Sequence, residues 1–304
     1  MYRRGAHLFA VLTAVFIFPL ILVGAGVTSK GAGMAFPDWP TSDSHFVNPP
    51  GWLHNNAKLW EHGHRLIGWT VGMLAIASLA ACWRTGGAVR AAAGGTLAMI
   101  VVQGVLGGLR VTEVSRALAM VHGIWGQLGF CLATVTALLT SASWCAVETA
   151  HEARGARFYQ RGCFFASVCV LLQLGFGAAY RHFAWREALI GHILWAVVVI
   201  LVLSWAAMWT LERYATVRPL SLLGRWLAAL IAAQMILGGL AFLMKVMGAG
   251  WPAIAVWAAP TAHVAVGALI FACIVLMTIC GFRMLQPAPL PHEERRTGTT
   301  AVTA

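Results

Sequence analysis

Eight apolar segments, each about the length needed to cross a bilayer, constrain this chain more than any other feature. A membrane helix needs roughly 20 apolar residues, and such segments occur at 7–28, 61–83, 92–109, 118–140, 160–179, 187–210, 222–245 and 259–283. The mean hydropathy is +0.76 and only 10% of the residues are charged, which is too little charge to cover a soluble domain. The sequence therefore predicts an all-α polytopic membrane protein with eight transmembrane helices.

The basic residues predict how the chain lies in the membrane. The net charge is +11, and more of the 21 Lys and Arg residues fall in the segments that are inside when the N-terminus is inside. This bias predicts a multi-pass protein of the cell inner (plasma) membrane with both termini cytoplasmic. Because no basic cluster interleaved with aromatics lies outside the spans, the charge favours anionic lipid over nucleic acid as the partner.

An internal repeat divides the chain into helical hairpins. The segment Gln103–Leu109 near the end of the third span matches Gln234–Leu240 in the seventh, and Gln173–Gly177 in the fifth is a looser copy. Each copy is followed by a loop and then by an even-numbered span that carries a histidine. The repeat predicts two pseudo-symmetric four-helix bundles, at 1–150 and 151–285, and the polar end of the chain predicts a disordered cytoplasmic tail at 286–304.

Each even-numbered span has a histidine at a corresponding place in its first turn or two, namely His64, His122, His192 and His263. These spans all run inward, so the four imidazoles lie in one layer near the outer face. Two facing histidines per bundle are suited to hold haem iron between helices, which predicts two iron sites, His64 with His122 and His192 with His263. A zinc or copper site is the alternative, although two ligands without nearby Cys or Asp suit zinc poorly.

One carboxylate breaks the repeat. Glu61 lies three residues before His64, whereas the matching positions of the other hairpins hold Ala119, Leu189 and Pro260. Ionisable groups near hydrocarbon mark function by default, so we expect the first bundle to be the reacting site and the second to hold a permanent cofactor. Glu61 could serve as a general base, or it could be a helix-start charge paired with Arg65.

Further polar groups lie on the outer side, level with the histidines. Arg65, Arg110 and Arg181 could pair with haem propionates or extend to lipid headgroups. The loop between the first two spans, Ser29–Trp60, contains Pro37-Asp38-Trp39-Pro40 and cannot be a continuous helix. A loop this long predicts a lid over whatever the outer face binds.

In combination, these features resemble the haem A synthase family, and the likeness covers nearly the whole chain. Its motifs are Thr28-Ser29 through Gly31-Ala32-Gly33-Met34, Pro37-Asp38-Trp39-Pro40, Glu61-x-x-His64-Arg65 and the histidine of each even span. The resemblance implies an oxidoreductase that converts a ring methyl of haem O to a formyl group with oxygen from water.

The resemblance also assigns roles to individual residues. It implies a haem B cofactor on His192 and His263, the substrate haem O on His64 and His122, and a catalytic role for Glu61. The partners it implies are the lipid membrane, a haem O-producing farnesyltransferase and an electron acceptor.

The chain departs from the family pattern in one feature, and two other functions are alternatives to the haem A synthase. Many members of the family carry a cysteine pair in the first outer loop, and Ser29–Trp60 has none, so we expect prolines, tryptophans or another protein to order the loop. A dihaem b-type electron-transfer cytochrome needs the same four histidines but gives no reason for Glu61. A transporter would also explain repeats, but its usual acidic residues at mid-membrane are almost absent.

Overall fold

Eight long helices account for most of the chain in a computed structural model that describes residues 2–147, 150–246 and 250–288. The long helices are α1 (Arg4–Ser29), α2 (Asn56–Cys82), α3 (Gly87–Thr112), α4 (Arg116–Thr140), α6 (Ala156–Phe183), α7 (Arg186–Arg213), α8 (Arg218–Val246) and α9 (Ala253–Met284). Between them lie a 3-10 turn at Trp52–His54 and one helical turn, α5, at Ala142–Cys145. All eight long helices have the length and hydropathy of a membrane span, so the prediction of an all-α, multi-pass membrane protein is confirmed.

Most helices extend beyond the apolar windows, most of all at the starts of α2, α3 and α9. Polar residues at a membrane interface can remain helical when a capping side chain ends the helix. The Asn55 side chain accepts from Lys58 N at 3.1 Å, and the Ser115 hydroxyl caps α4 at Leu118 N, 3.2 Å away. Because α2 begins at Asn56, Glu61 lies in its second turn rather than at the helix start. The pairing of Glu61 with Arg65 that the same interpretation predicted is present.

The longer starts of α2 and α9 place His64 and His263 deeper than the first two turns, whereas His122 and His192 lie within the first two turns as expected. His122 and His192 are each the seventh residue of their helix, His64 is the ninth and His263 the eleventh. The layer of imidazoles therefore lies about two to three turns below the helix ends, at 3.6 residues per turn.

Helices that are neighbours in the chain pack against each other in two groups. α1 to α4 form one ring of contacts and α6 to α9 form another, and the two rings meet where α9 packs on α1 and α4 and where α4 packs on α6. α9 is the most buried of the eight helices, and its residues Ala268 and Ala272 share a core cluster with Ala14 of α1 and Phe130 of α4. The pseudo-symmetry of the two halves stays a prediction.

Two short strands lie at the ends of the helices opposite the long loop. β1 (His151–Ala153) pairs in parallel with β2 (Leu285–Pro287), so the connection between the two groups of helices is joined to the residues that follow α9. The buried Gln160 amide also donates to the carbonyls of Gly281 and Leu285, at 3.1 and 3.0 Å. The tail expected at 286–304 thus starts within a strand, and residues 289–304 lie outside the described residues.

Candidate functional site

Two pairs of histidines face each other, each pair within one group of helices. The ring centroids of His64 and His122 are 6.4 Å apart with an interplanar angle of 70°. Those of His192 and His263 are 6.1 Å apart at 73°. The structure therefore brings together the same pairs that the repeat suggested, although it does not by itself test what they bind.

The separation of the rings suits a metal ion between them. Two nitrogen–metal bonds of about 2 Å, each extended by about 1 Å to the ring centre, place two axial imidazole centres about 6 Å apart. Among the described residues, no group of three or more His, Cys, Asp or Glu side chains is placed to hold a metal ion. The donor set therefore fits an iron already held by a porphyrin, which needs only two axial nitrogens, better than zinc.

Each of the four imidazoles lies against a glycine of the preceding long helix. A Cβ built on that glycine would fall 2.8 to 3.0 Å from the histidine Cε1, for Gly24 with His64, Gly107 with His122, Gly177 with His192 and Gly238 with His263. Real Cβ atoms are essentially never closer than 3.0 Å to another heavy atom, so a side chain here would displace the ring. The glycines create the space that the histidines occupy.

A glutamine accompanies three of the four histidines. The amide nitrogens of Gln103, Gln173 and Gln234 lie 3.3, 3.4 and 3.3 Å from Nε2 of His122, His192 and His263. The sequence revealed these glutamines only as markers of the repeat. Each glutamine lies four residues before the glycine that contacts the histidine. This constant offset was the signal that could have revealed that the glutamine contacts the histidine.

Glu61 is buried, with 4% of its surface exposed, and it binds the long loop. Its Oε2 accepts from the backbone N–H of Ala35 at 2.6 Å and of Phe36 at 3.3 Å. Its Oε1 accepts from Arg65 at 2.6 Å. Since a carboxylate offers about four lone-pair sites, these three bonds leave about one acceptor position, on Oε1.

Arg65 extends this network into the loop rather than towards the histidines. Its Nη1 donates to the carbonyl of Asp38 at 2.7 Å and also contacts the Thr41 carbonyl and the Ser42 hydroxyl. With its guanidinium engaged by Glu61 and by loop acceptors, Arg65 is the least available of the three arginines for a propionate.

His62 points to the opposite side of α2 from His64 and also holds the loop. Its Nδ1 lies 2.9 Å from the Ser42 hydroxyl and its Nε2 lies 2.9 Å from the Val47 carbonyl, while the ring of Trp52 packs edge-on at 4.9 Å. The loop is therefore fastened by polar contacts to α2, which the expectation of proline and tryptophan ordering did not include.

The loop also reaches α3, next to His122. The Trp39 ring lies on Gly108, where a Cβ would come within 2.4 Å of the indole, and Arg110 donates to the Gly33 carbonyl at 3.0 Å. Since Gly107 is the residue that contacts His122, the loop contacts α2 and α3, two of the four helices around the first histidine pair. The lid expected from the length of the loop stays a prediction.

Arg110 and Arg181 are cations without a carboxylate partner among the described residues, since the ion pairs there are Lys58–Asp43 and Arg65–Glu61. Arg181 donates to the Ala25 carbonyl at 2.6 Å and to the Ser29 hydroxyl at 2.9 Å, thereby joining α6 to α1. Both keep further N–H donors, which a carboxylate near either histidine pair could accept.

The fold defines a multi-pass, all-α membrane protein, which contains two facing pairs of histidines. The chain belongs to the COX15-CtaA family of cytochrome oxidase assembly proteins, whose family model matches residues 7–184, more than half of its length.

Several named proteins share shorter segments with it. The heme A synthase of Azorhizobium caulinodans is 32% identical over 143 residues, which are 42% of this chain and 40% of that protein. The heme A synthase of Nitrosospira multiformis is 32% identical over 79 residues, 23% of this chain and 22% of that protein. A protoheme IX farnesyltransferase of Haloarcula marismortui is 34% identical over 128 residues, 40% and 27% of the two lengths. Each match covers less than half of the relative.

Proposed function

We propose that this chain is a haem A synthase, an oxidoreductase that converts a ring methyl of haem O to a formyl group. Membership of the cytochrome oxidase assembly family and the likeness to two heme A synthases support the class of reaction. The observation that carries the proposal is the facing histidine pair His64–His122, with the buried carboxylate Glu61 three residues before His64 on the same helix.

The reaction replaces two methyl hydrogens by one water oxygen and releases four electrons and four protons in all. His64 and His122 would hold the substrate iron, and His192 and His263 would hold a haem B cofactor, which supplies one-electron redox chemistry when bound. Arg110 and Arg181 would pair with propionates, since neither has a carboxylate partner among the described residues, whereas Arg65 is paired with Glu61.

Glu61 is the group that would receive a proton. Its remaining acceptor site is on Oε1, so a proton from water or from the methyl carbon can be held there while Oε2 keeps the loop in place. The same contact would hold the loop as a lid over the first pair, and such a lid would exclude bulk water from the reacting edge. Glu61 would thus act both as a base and as the anchor of the loop.

Partners and location follow from the same proposal. The matched segment of 128 residues makes up 27% of the Haloarcula marismortui protein named protoheme IX farnesyltransferase. A segment of this kind within a farnesyltransferase supports a farnesyltransferase as the supplier of haem O. An electron acceptor must take the four electrons. The excess of Arg in alternate loops supports an inner (plasma) membrane protein with cytoplasmic termini, in which the long loop faces outward.

The test is the haem content of the purified full-length protein, together with Glu61→Gln. We expect wild type to contain haem B together with haem O, an alcohol intermediate or haem A. Glu61→Gln keeps an oxygen for the loop amides and loses the charge, so we expect both histidine sites to stay loaded while formyl production stops. The matched control is Glu187→Gln, since Glu187 is an exposed carboxylate five residues before His192.

Two outcomes would refute the proposal in different ways. Haem A at wild-type levels in Glu61→Gln removes this residue from the chemistry. Haem B alone at both sites, with no conversion of added haem O, identifies the chain as a dihaem b-type electron-transfer cytochrome instead. Protein that binds no haem excludes both functions.

A further inference from the structure

Two cavities share one arginine at the ends of the helices opposite the long loop. The larger, of about 520 Å³, lies along the last turns of α2. The smaller, of about 260 Å³, lies between the first turns of α1 and α3 and the last turn of α4. Arg3 lines both of them, and none of the residues of the candidate functional site lines either. The cavities therefore form a separate feature of the molecule.

Both cavities are basic. Arg3 and Arg84 line the larger one, and Arg283 joins Arg3 in the smaller one, whereas no Asp or Glu is among the described residues that line either cavity. Arg3 and Arg84 are exposed, and neither takes part in the ion pairs of the described part of the chain. Each guanidinium has five N–H donors and no acceptor. An anion is therefore the ligand that these side chains are suited to bind.

The larger cavity continues from the arginines along an apolar face of α2. Its lining there is formed by Ile76, Leu79 and Ala80, and then by Trp83 next to Arg84. Ile76 and Trp83 are 51% and 61% exposed, and they lie about 10 Å apart along the axis, at 1.5 Å per residue. Tryptophan is typical of the boundary between lipid chains and headgroups, so Trp83 marks the level at which Arg84 meets a headgroup.

A small anion accounts for only part of this arrangement. A phosphate group can accept N–H bonds from two guanidinium groups whether or not chains are attached to it. Ile76 and Leu79 offer no hydrogen bond to a free phosphate, whereas an acyl chain can pack along them through dispersion contacts. The small side chain of Ala80 leaves room for that chain. The combination of cations and an apolar face therefore favours a phospholipid.

The smaller cavity indicates the kind of headgroup. Thr85, which lines it, donates its hydroxyl proton to the Cys82 carbonyl at 2.6 Å. Towards a ligand its oxygen can only accept, which favours a headgroup that carries hydroxyl donors, such as glycerol. Arg283 donates to the Val147 carbonyl at 2.9 Å and keeps further N–H groups for an acceptor oxygen of the same headgroup.

We propose that Arg3 and Arg84 bind the phosphate of one anionic phospholipid from the leaflet opposite the long loop. An acyl chain lies along α2 from Trp83 to Ile76, and the headgroup enters the smaller cavity. Basic pockets between transmembrane helices are suited to bind anionic headgroups in this way. The bound lipid joins the start of α1 to the turn between α2 and α3. The site contains none of the histidines, so its test is independent of the proposed function.

Native mass spectrometry of the full-length protein measures the binding. The protein is released from detergent with added phosphatidylglycerol or phosphatidylcholine, and the Kd of the first bound lipid is determined. We expect phosphatidylglycerol to bind more tightly than phosphatidylcholine. One arginine near an anionic lipid contributes about fivefold to binding. Arg3→Gln and Arg84→Gln should therefore each raise the phosphatidylglycerol Kd about fivefold, and the double variant about 25-fold.

The matched control is Arg225→Gln. Arg225 is an exposed arginine near the same end of the molecule and is adjacent to the exposed Trp226, as Arg84 is adjacent to Trp83. It lines neither cavity, so its loss should leave the Kd unchanged. An equal loss of affinity in Arg225→Gln would show that lipid responds to the basic surface as a whole, and it would overturn the proposed site.

The apolar part of the site has its own pair of variants. Ala80→Leu fills space in the larger cavity, whereas Ala229→Leu adds the same volume to an exposed position of α8 that lines neither cavity. We expect only Ala80→Leu to weaken phosphatidylglycerol binding. Glycerol phosphate, which has no chains, should compete poorly with the lipid.

Three results would overturn the proposal. Equal affinity of the unmutated protein for phosphatidylglycerol and phosphatidylcholine would exclude a site for an anionic lipid, and this comparison does not depend on the folding of any variant. Unchanged affinity in the Arg3→Gln and Arg84→Gln double variant would remove the arginines from lipid binding. Displacement of the lipid by an equal concentration of glycerol phosphate would show that the arginines bind a free phosphate and that α2 contributes nothing.

Discussion

Removal of the Arg65 guanidinium should release the long loop from α2. The side chains of Arg65 and Glu61 are 11% and 6% exposed and 2.6 Å apart, and Arg65 also binds Asp38, Thr41 and Ser42 of the loop. Deleting one partner of a buried ion pair costs about 3–5 kcal/mol, because the other charge stays buried. We therefore expect Arg65→Met to lower the free energy of local loop opening by about 3 kcal/mol or more.

A second ion pair between α2 and the loop provides a matched control. Lys58 and Asp43 form an ion pair of 2.5 Å whose side chains are 27% and 35% exposed. A more exposed pair contributes about 1 kcal/mol or less, so Lys58→Met should have a small effect, even though it also removes an α2 cation that binds the loop.

Hydrogen exchange followed by mass spectrometry on nanodisc-embedded protein measures both effects. At about 1.4 kcal/mol per tenfold, we expect the peptide that covers residues 33–47 to exchange about a hundredfold faster in Arg65→Met and less than tenfold faster in Lys58→Met. Equal acceleration in the two variants would show that burial of the Arg65–Glu61 pair does not control the order of the loop.

Two further predictions concern the glycines and the loop carboxylate. Gly177→Ala places a Cβ 2.9 Å from His192, whereas Gly175→Ala meets no atom within 4 Å. Overpacking costs about 1–3 kcal/mol, so only the first should reduce bound haem per protein. Partial burial raises the pKa of Asp38, but hydrogen bonds from Thr41, Ser44 and Asp43 outweigh it and lower the pKa to about 2, from 3.8. Because the folded pKa is the lower one, the stabilisation is complete above pH 4 and is lost as the pH falls through about 2. Loop exchange in Asp38→Asn should therefore exceed wild type at pH 5, with the difference vanishing near pH 2.

Hydropathy and the repeat were enough to predict the spans and the approach of His64 to His122 and of His192 to His263. A span is a property of about 20 consecutive residues, and a repeat places equivalent residues at equivalent depth. Neither prediction depends on contacts between residues that are distant in the chain, so both can be derived from the sequence.

The loop network could not be predicted in the same way. Glu61 binds the backbone of Ala35 and Phe36, and Arg65 binds the carbonyls of Asp38 and Thr41. Backbone groups are the same at every position, so no residue type marks them as partners. The contact of Gly24 with His64 was hidden for a related reason, because Leu20 replaces the glutamine that marks the other three copies.

The four glycine–histidine contacts also bear on how such a chain can change over generations. A larger side chain at Gly107 or Gly238 would collide with the opposing ring as long as the histidine is present. Once the histidine is replaced by a small residue, the same glycine is released from that constraint and alanine, a better helix former by about 1 kcal/mol, becomes favourable. Descendants that lose one site should thus lose the two residues as a linked pair, histidine first and glycine after it.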